Sequence, residues 1–255
     1  MVDAAQLAIL AAITGGTPLV IALLPAARRQ VSERVTHLML GLSAGILLGI
    51  SLVTIFPEAF EAATATGLSP QAVSIGAAAG FFALLFLERV LLARSGLGPV
   101  HFENGRRIQP FGTLAVSALA IHGLLDGFVI PLGFALNVTT GAVIAFAVAL
   151  HQIPDSFAAA AVGLAGTPDR RRVRAYVLVT AIDTPIGILV GALFAGAAMS
   201  LVAIALAFSA GTFIFVSAAD LIPELQHRSR SALVVGSILL GFAIVAALTL
   251  ALPPV

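Results

Sequence analysis

Two stretches of this sequence place an imidazole and a carboxylate four residues apart in strongly apolar surroundings. "AIHGLLDGFVIP" holds His122 and Asp126, and "ALHQIPDSFA" holds His151 and Asp155 with Gln152 beside them. On an α-helix, residues four apart share one face, so each pair aims a nitrogen and a carboxylate at the same point. Two such faces brought together offer two nitrogens and two or more oxygens, a donor set suited to Zn²⁺ and also to Fe²⁺ or Mn²⁺. A buried His–Asp hydrogen bond that ties down a kink would explain either pair taken alone. Two pairs on consecutive apolar segments, at matching depth, favour a shared metal centre of the kind helical bundles build from inward-facing side chains. Cysteine is absent, which excludes thiolate ligands and disulfides.

What must position these groups is a membrane bundle. The chain has 255 residues, 60% of them hydrophobic and only 10% charged, with a mean hydropathy of +1.10. Soluble domains average about 25% charged residues, so the excess of apolar side chains here needs lipid as its solvent. The 24 glycines fit close helix–helix packing. A net charge of +1 gives no reason to expect nucleic acid as a partner.

A spanning helix needs about 20 mostly apolar residues. Cutting the sequence at its polar clusters gives eight such segments, at about 4–25, 36–59, 70–93, 111–134, 138–164, 175–197, 199–222 and 232–252. The runs are continuous rather than alternating, which predicts helices and not barrel strands. The expected fold is therefore an all-α polytopic membrane protein, a single domain over 1–255. Its first segment follows Asp3 rather than a basic flank, so it reads as a retained span and not a cleaved leader. Arginines occupy the connections after spans one, three, five and seven, and the connections after spans two, four and six have none. Basic connections stay cytoplasmic, so both termini are expected on the extracytoplasmic side.

An ionisable residue at the centre of a span costs at least about 2.5–3.5 kcal/mol on insertion scales, which makes each one a functional candidate. Besides the two pairs, Asp183 lies in span six beside Thr184 and Pro185 and is a further candidate ligand. Pro131, Pro154 and Pro185 each remove a helical hydrogen bond, and broken helices at mid-membrane free carbonyls for ions. Glu58 follows Pro57 at the outer end of span two, while Asp220 and Glu224 lie at the inner end of span seven. They are candidate entry and exit groups, or solvated span ends. Glu88 and Arg89 read as an ion pair or as snorkelling charges, and His37, His101 and His227 fall at the cytoplasmic side.

These features together resemble the ZIP (Zrt- and Irt-like) family of metal transporters along nearly the whole chain. His122, Asp126 and Gly127 match its fourth-span pattern, and His151, Pro154 and Asp155 its fifth-span pattern. "GLSAGILLGISLVTIFPEAF", "DTPIGILVGAL" and "FSAGTFIFVSAADLIPEL" resemble its second, sixth and seventh spans. The resemblance implies eight spans, outside termini, and adjacent metal positions formed by spans four, five and six. His122, Asp126, His151 and Asp155 would hold the main ion, with Gln152, Asp155 and Asp183 around a second. There are departures. Gly123 stands where many members have Asn, both acids are Asp where Glu is usual, and Thr54 occupies a position often held by His. Thr184, not Glu, directly precedes Pro185.

The expected function is transport of divalent transition-metal ions into the cytoplasm, Zn²⁺ foremost, with Fe, Mn or Cd as further substrates. The ion is cargo, and no cofactor is expected. The ion would enter near Glu58, bind between spans four and five, and leave near Asp220 and Glu224. The expected setting is a bacterial inner membrane, with divalent ions and lipid as partners and a homodimer as an optional assembly. An intramembrane zinc hydrolase is the first alternative, although "HQIPD" lacks the general-base Glu of H-E-x-x-H. A proton- or cation-coupled carrier without bound metal is the second, and the two histidines speak against it.

Overall fold

A computed structural model describes residues 4–23, 32–94, 111–166, 170–228 and 231–252. Among these residues the chain forms eight helical rods: α1 (Ala4–Leu23), α2 (Glu33–Gly49, Ile50–Ile55 and Phe56–Ala65), α3 (Pro70–Arg94), α4 (Phe111–Leu136), α5 (Val138–Gly166), α6 (Arg170–Ala195), α7 (Met199–Ile214, Phe215–Leu221 and Ile222–Arg228) and α8 (Ala232–Ala251). No strand occurs among the described residues. Five stretches are long and apolar enough to cross a bilayer: His37–Ala65, Pro70–Val90, Leu178–Ala195, Met199–His227 and Ala232–Ala251. Shorter apolar stretches lie in α1, α4 and α5. Large side chains such as Phe86, Leu193 and Leu250 are exposed, which water would penalise and lipid accepts. This is an integral membrane protein. Many of the arginines that orient the expected spans, and His101 as well, fall outside the described residues.

The rods pack as two groups. In the first, α4 makes its most extensive contact with α6, and α1 and α5 pack onto that pair. In the second, α2 pairs with α8 and α3 with α7. A dry interior seals the junction, with Ile46 and Leu47 of α2, Ile130 of α4, Ile144 of α5 and Phe213 of α7 all fully buried.

The helices are not broken where the prolines suggest. Pro131 and Pro185 lie inside continuous α4 and α6, and α5 runs without interruption through residue 154. One missing N–H in a helix held on several sides does not interrupt it. The irregularities are elsewhere, in α2 and α7. Each contains a π-helical segment, Ile50–Ile55 and Phe215–Leu221, closing on Pro57 and Pro223. The N–H of Phe56 reaches back five residues to the Ser51 carbonyl, and that of Ile222 to the Ser217 carbonyl. A proline ring collides with the carbonyl four residues back, and widening the preceding turn relieves that collision.

The likeness of the two segments extends to sequence. Ser209, Ala210, Gly211, Ser217, Pro223 and Glu224 repeat Ser43, Ala44, Gly45, Ser51, Pro57 and Glu58 at one constant offset. Packing follows the repeat. A Cβ added to Gly45 would collide with the Ile238 carbonyl of α8, and one added to Gly211 with the Ala77 carbonyl of α3. The partners reciprocate, since a Cβ on Gly241 would meet the Leu42 carbonyl and one on Gly80 the Phe208 carbonyl. Only glycine permits such close backbone contact, so the second group is built from two copies of one glycine-locked helix pair.

Candidate metal centre

The same device positions the chemistry in the first group. Cβ atoms on Gly127 and Gly187 would collide with the carbonyls of Thr184 and Leu124 respectively, so α4 and α6 touch backbone to backbone. α5 packs alongside α4, which turns the His122–Asp126 face towards the His151–Asp155 face. One ligand atom from each of these four residues lies within 4.8 Å of the other three.

The distances suit a small ion. His151 Nε2 is 3.1 Å from Asp126 Oδ2 and 4.0 Å from Asp155 Oδ2, and His122 Nε2 is 3.5 and 3.6 Å from the same two oxygens. Donors bonded at about 2.0–2.1 Å to tetrahedral zinc stand about 3.3 Å from one another. His122, Asp126 and His151 are buried. Both ring nitrogens of His122 and Oδ1 of Asp126 have no hydrogen-bond partner among the described residues, a costly state for buried polar atoms.

One contact decides what the cluster wants. His151 Nδ1 is 3.0 Å from the Ala147 carbonyl oxygen. A carbonyl can only accept, so Nδ1 carries the proton and a neutral ring then has its lone pair on Nε2. That lone pair points at a carboxylate oxygen 3.1 Å away. Two acceptors face each other at contact distance, which is repulsive unless a cation or a second ring proton lies between them. Metal-bound histidines commonly donate their other ring N–H to a carbonyl in this way. Two carboxylates also supply the charge that balances a divalent ion.

The other candidates fall in three places. Gln152 and Asp183 line the same small cavity as His122, Asp126 and Asp155, but the Asp183 carboxylate does not join the four converging ligand atoms. Gln152 donates to Thr184 Oγ1 at 2.8 Å, and Asp183 Oδ1 accepts from the Thr184 backbone N–H at 2.5 Å. Glu58 does not end its span as the sequence suggested, since α2 continues to Ala65; it is half-buried and accepts from Thr140 Oγ1 of α5 at 2.6 Å. Asp220 and Glu224 are exposed near the end of α7, as is His227, and none of the three joins the converging ligand atoms; His37 is half-buried on α2.

Gly123 has a structural reason. A Cβ at this position would stand 2.6 Å from Asp183 Oδ1. A side chain on α4 and the Asp183 carboxylate of α6 compete for one space, so glycine here and aspartate there belong together.

One participant is not suggested by the paired motifs. Ser43, fully buried on α2, donates to Asp155 Oδ1 at 2.7 Å. Its neighbours spell Gly41-Leu42-Ser43-Ala44-Gly45, which fits the hydrolase pattern G-x-S-x-G. That pattern activates serine on a sharp strand-to-helix turn, whereas this serine lies inside a helix and hydrogen-bonds a carboxylate. A lone serine in an otherwise apolar, small-residue run was the available signal.

The chain is also similar to known proteins. Residues 98–249 match the family model described as ZIP Zinc transporter. The zinc transporter ZupT of Corynebacterium glutamicum is 27% identical over 238 residues, covering 88% of this chain and 90% of its own. ZupT of Chlorobium luteolum is 28% identical, covering 86% and 87%. Zinc transporter ZIP1 of Takifugu rubripes is 28% identical, covering 68% of each.

Proposed function

The chain belongs to the ZIP zinc transporter family, and from that premise we propose that it carries Zn²⁺ across the membrane through the buried His/Asp centre. It is a transporter and not an enzyme. The observation that carries the assignment of the site is the Nε2 of His151 facing Asp126 Oδ2 at 3.1 Å while Nδ1 is committed to a carbonyl. A divalent ion resolves that opposition, and the two aspartates neutralise a charge whose burial would otherwise be prohibitive.

In this reading His122, Asp126, His151 and Asp155 bind the main ion in transit. Gln152 and Asp183 offer a second, weaker position in the same cavity, to which Asp155 can contribute. Hydrated ions arrive from outside past Glu58 and depart to the cytoplasm past Asp220 and Glu224, with both termini outside. Fe²⁺, Mn²⁺ and Cd²⁺ are further substrates, and the setting is a bacterial inner membrane. The single 255-residue unit works alone or as a homodimer.

Uptake of radiolabelled zinc into proteoliposomes tests the assignment. Wild type accumulates the label and His151→Ala does not; equal uptake by the two would overturn it. Acid should act in the same direction, because protons compete for ligands that must be deprotonated to bind. Apparent zinc affinity is expected to fall as the pH is lowered. An affinity unchanged between neutral and mildly acidic pH would count against histidine ligation.

A further inference from the structure

We propose that Ser43 is a positioning residue that restricts Asp155 to a single coordinating oxygen and thereby favours zinc over larger divalent ions. The inference rests on the transport reading above and adds a source of selectivity from the other helix group.

Asp155 has two carboxylate oxygens with different surroundings. Oδ2 faces the centre, 3.6 Å from His122 Nε2 and 4.0 Å from His151 Nε2. Oδ1 is occupied by the Ser43 hydroxyl at 2.7 Å. A hydroxyl that donates to Oδ1 withholds that oxygen's best lone pair and fixes the carboxylate plane. The carboxylate then serves as a one-oxygen ligand. With two imidazoles and Asp126, this gives four donors, the number tetrahedral zinc prefers. Mn²⁺ takes six ligands and suits carboxylate and water oxygens. A carboxylate free to bind through both oxygens serves it better, and Ser43 denies it that option.

Ser43 is held in place for this work. It is fully buried in the regular helical part of α2, upstream of the π segment, so its aim is fixed by packing. A second serine of the same helix provides a control. Ser51 is equally buried and donates to the Ala210 carbonyl of α7 at 2.8 Å, a helix–helix hydrogen bond with no ligand at its far end.

The test measures uptake of Zn²⁺ and Mn²⁺ by proteoliposomes holding wild type, Ser43→Ala, Ser43→Thr and Ser51→Ala. Loss of a group that orients a ligand typically costs 10–100-fold in metal affinity. Ser43→Ala should therefore raise the zinc KM by about 10-fold and leave the manganese KM unchanged or lower. The zinc-to-manganese preference falls accordingly. Ser43→Thr keeps the hydroxyl and restores the wild-type ratio, and Ser51→Ala keeps the ratio whatever it does to the amount of folded protein. If Ser43→Ala does not fold, Ser43→Val carries the test, because it matches threonine in shape without the hydroxyl and should shift the ratio the same way. An unchanged ratio in whichever of these two variants folds overturns the inference while leaving the transport reading intact. Absence of zinc uptake by wild type overturns the transport reading instead, and the inference falls with it.

Discussion

The two helix groups are joined by the same kind of backbone contact yet filled by opposite rules. In α2, α3, α7 and α8, glycine-locked pairs occur twice, and their interior is hydrocarbon apart from single hydroxyls bonded across or along helices. In α1, α4, α5 and α6, glycines again bring α4 against α6, but the space beside them holds two imidazoles and three aspartates. The first arrangement gives a rigid frame. The second concentrates desolvated acceptors whose charge a divalent cation balances. Local structure explains why the two can coexist. Close backbone packing consumes no side-chain volume, so α4 can touch α6 on one face and still present His122 and Asp126 on another.

That contrast yields a ranked set of expectations. The largest effect belongs to the polar group. Loss of one of four converging ligands, as in His151→Ala, should cost more zinc uptake than the about 10–100-fold typical of losing a group that only orients a ligand. Unfolding of the zinc-free variant, followed by calorimetry in detergent, should match wild type or exceed it, because the repulsive pairing with Asp126 is gone. A variant that unfolds much earlier would blur the distinction between the two groups.

Glycine replacements should behave the other way. Gly45→Ala and Gly211→Ala each force a Cβ against a carbonyl, and overpacking of this kind costs about 1–3 kcal/mol or more. The two losses should be similar, since the repeat gives them equivalent partners. A lowered midpoint should accompany an unchanged zinc KM in the protein that remains folded. Strongly unequal losses would argue against treating the two pairs as copies.

Gly123 sharpens the comparison where the two uses of glycine overlap. Gly123→Ala should disturb Asp183, and removing the carboxylate as well should restore part of the loss. Contacting residues of this kind couple by about 0.5–3 kcal/mol in double-mutant cycles. Gly123→Ala, Asp183→Ala and the double variant, compared by thermal unfolding, provide that cycle. Simple additivity would separate the two positions. The smallest effect is expected at the rim. Thr140→Val removes one partly exposed hydrogen bond to Glu58, worth roughly 0.5–1.5 kcal/mol. It should alter zinc KM only a few-fold, measured in the same uptake assay.

Much of this architecture is legible in the residues. Continuous apolar runs give rods whose bounds differ from the expected ones by a few residues at most ends, since length and hydropathy leave a membrane helix little choice. The His122/Asp126 and His151/Asp155 spacing gives the faces of α4 and α5. What spacing within one helix cannot give is the identity of the helix opposite. Ser43 reaches Asp155 only because α2 crosses α5, and nothing local in α2 encodes that crossing. The prolines mislead for a related reason. Pro131 and Pro185 look like breaks when each helix is read alone, but neighbouring rods hold the turns together. Pro57 and Pro223 look like ordinary span ends and instead follow the widened turns. The repeat of α2 in α7 was open to view, yet too dispersed for a short-period search.

Those widened turns have a consequence for phase. A regular helix advances about 100° per residue, and a π turn absorbs extra chain without advancing the axis in step. Residues beyond it are therefore re-indexed relative to those before it. A helical wheel drawn with one period from Ser43 onwards assigns Glu58 to the wrong compass bearing, and the same holds for Ser209 and Glu224. The bearings of both terminal acids are thus set by an insertion in the backbone rather than by side-chain choice. Deleting a single residue from either widened turn would re-aim its acid while leaving the composition of the rod almost untouched.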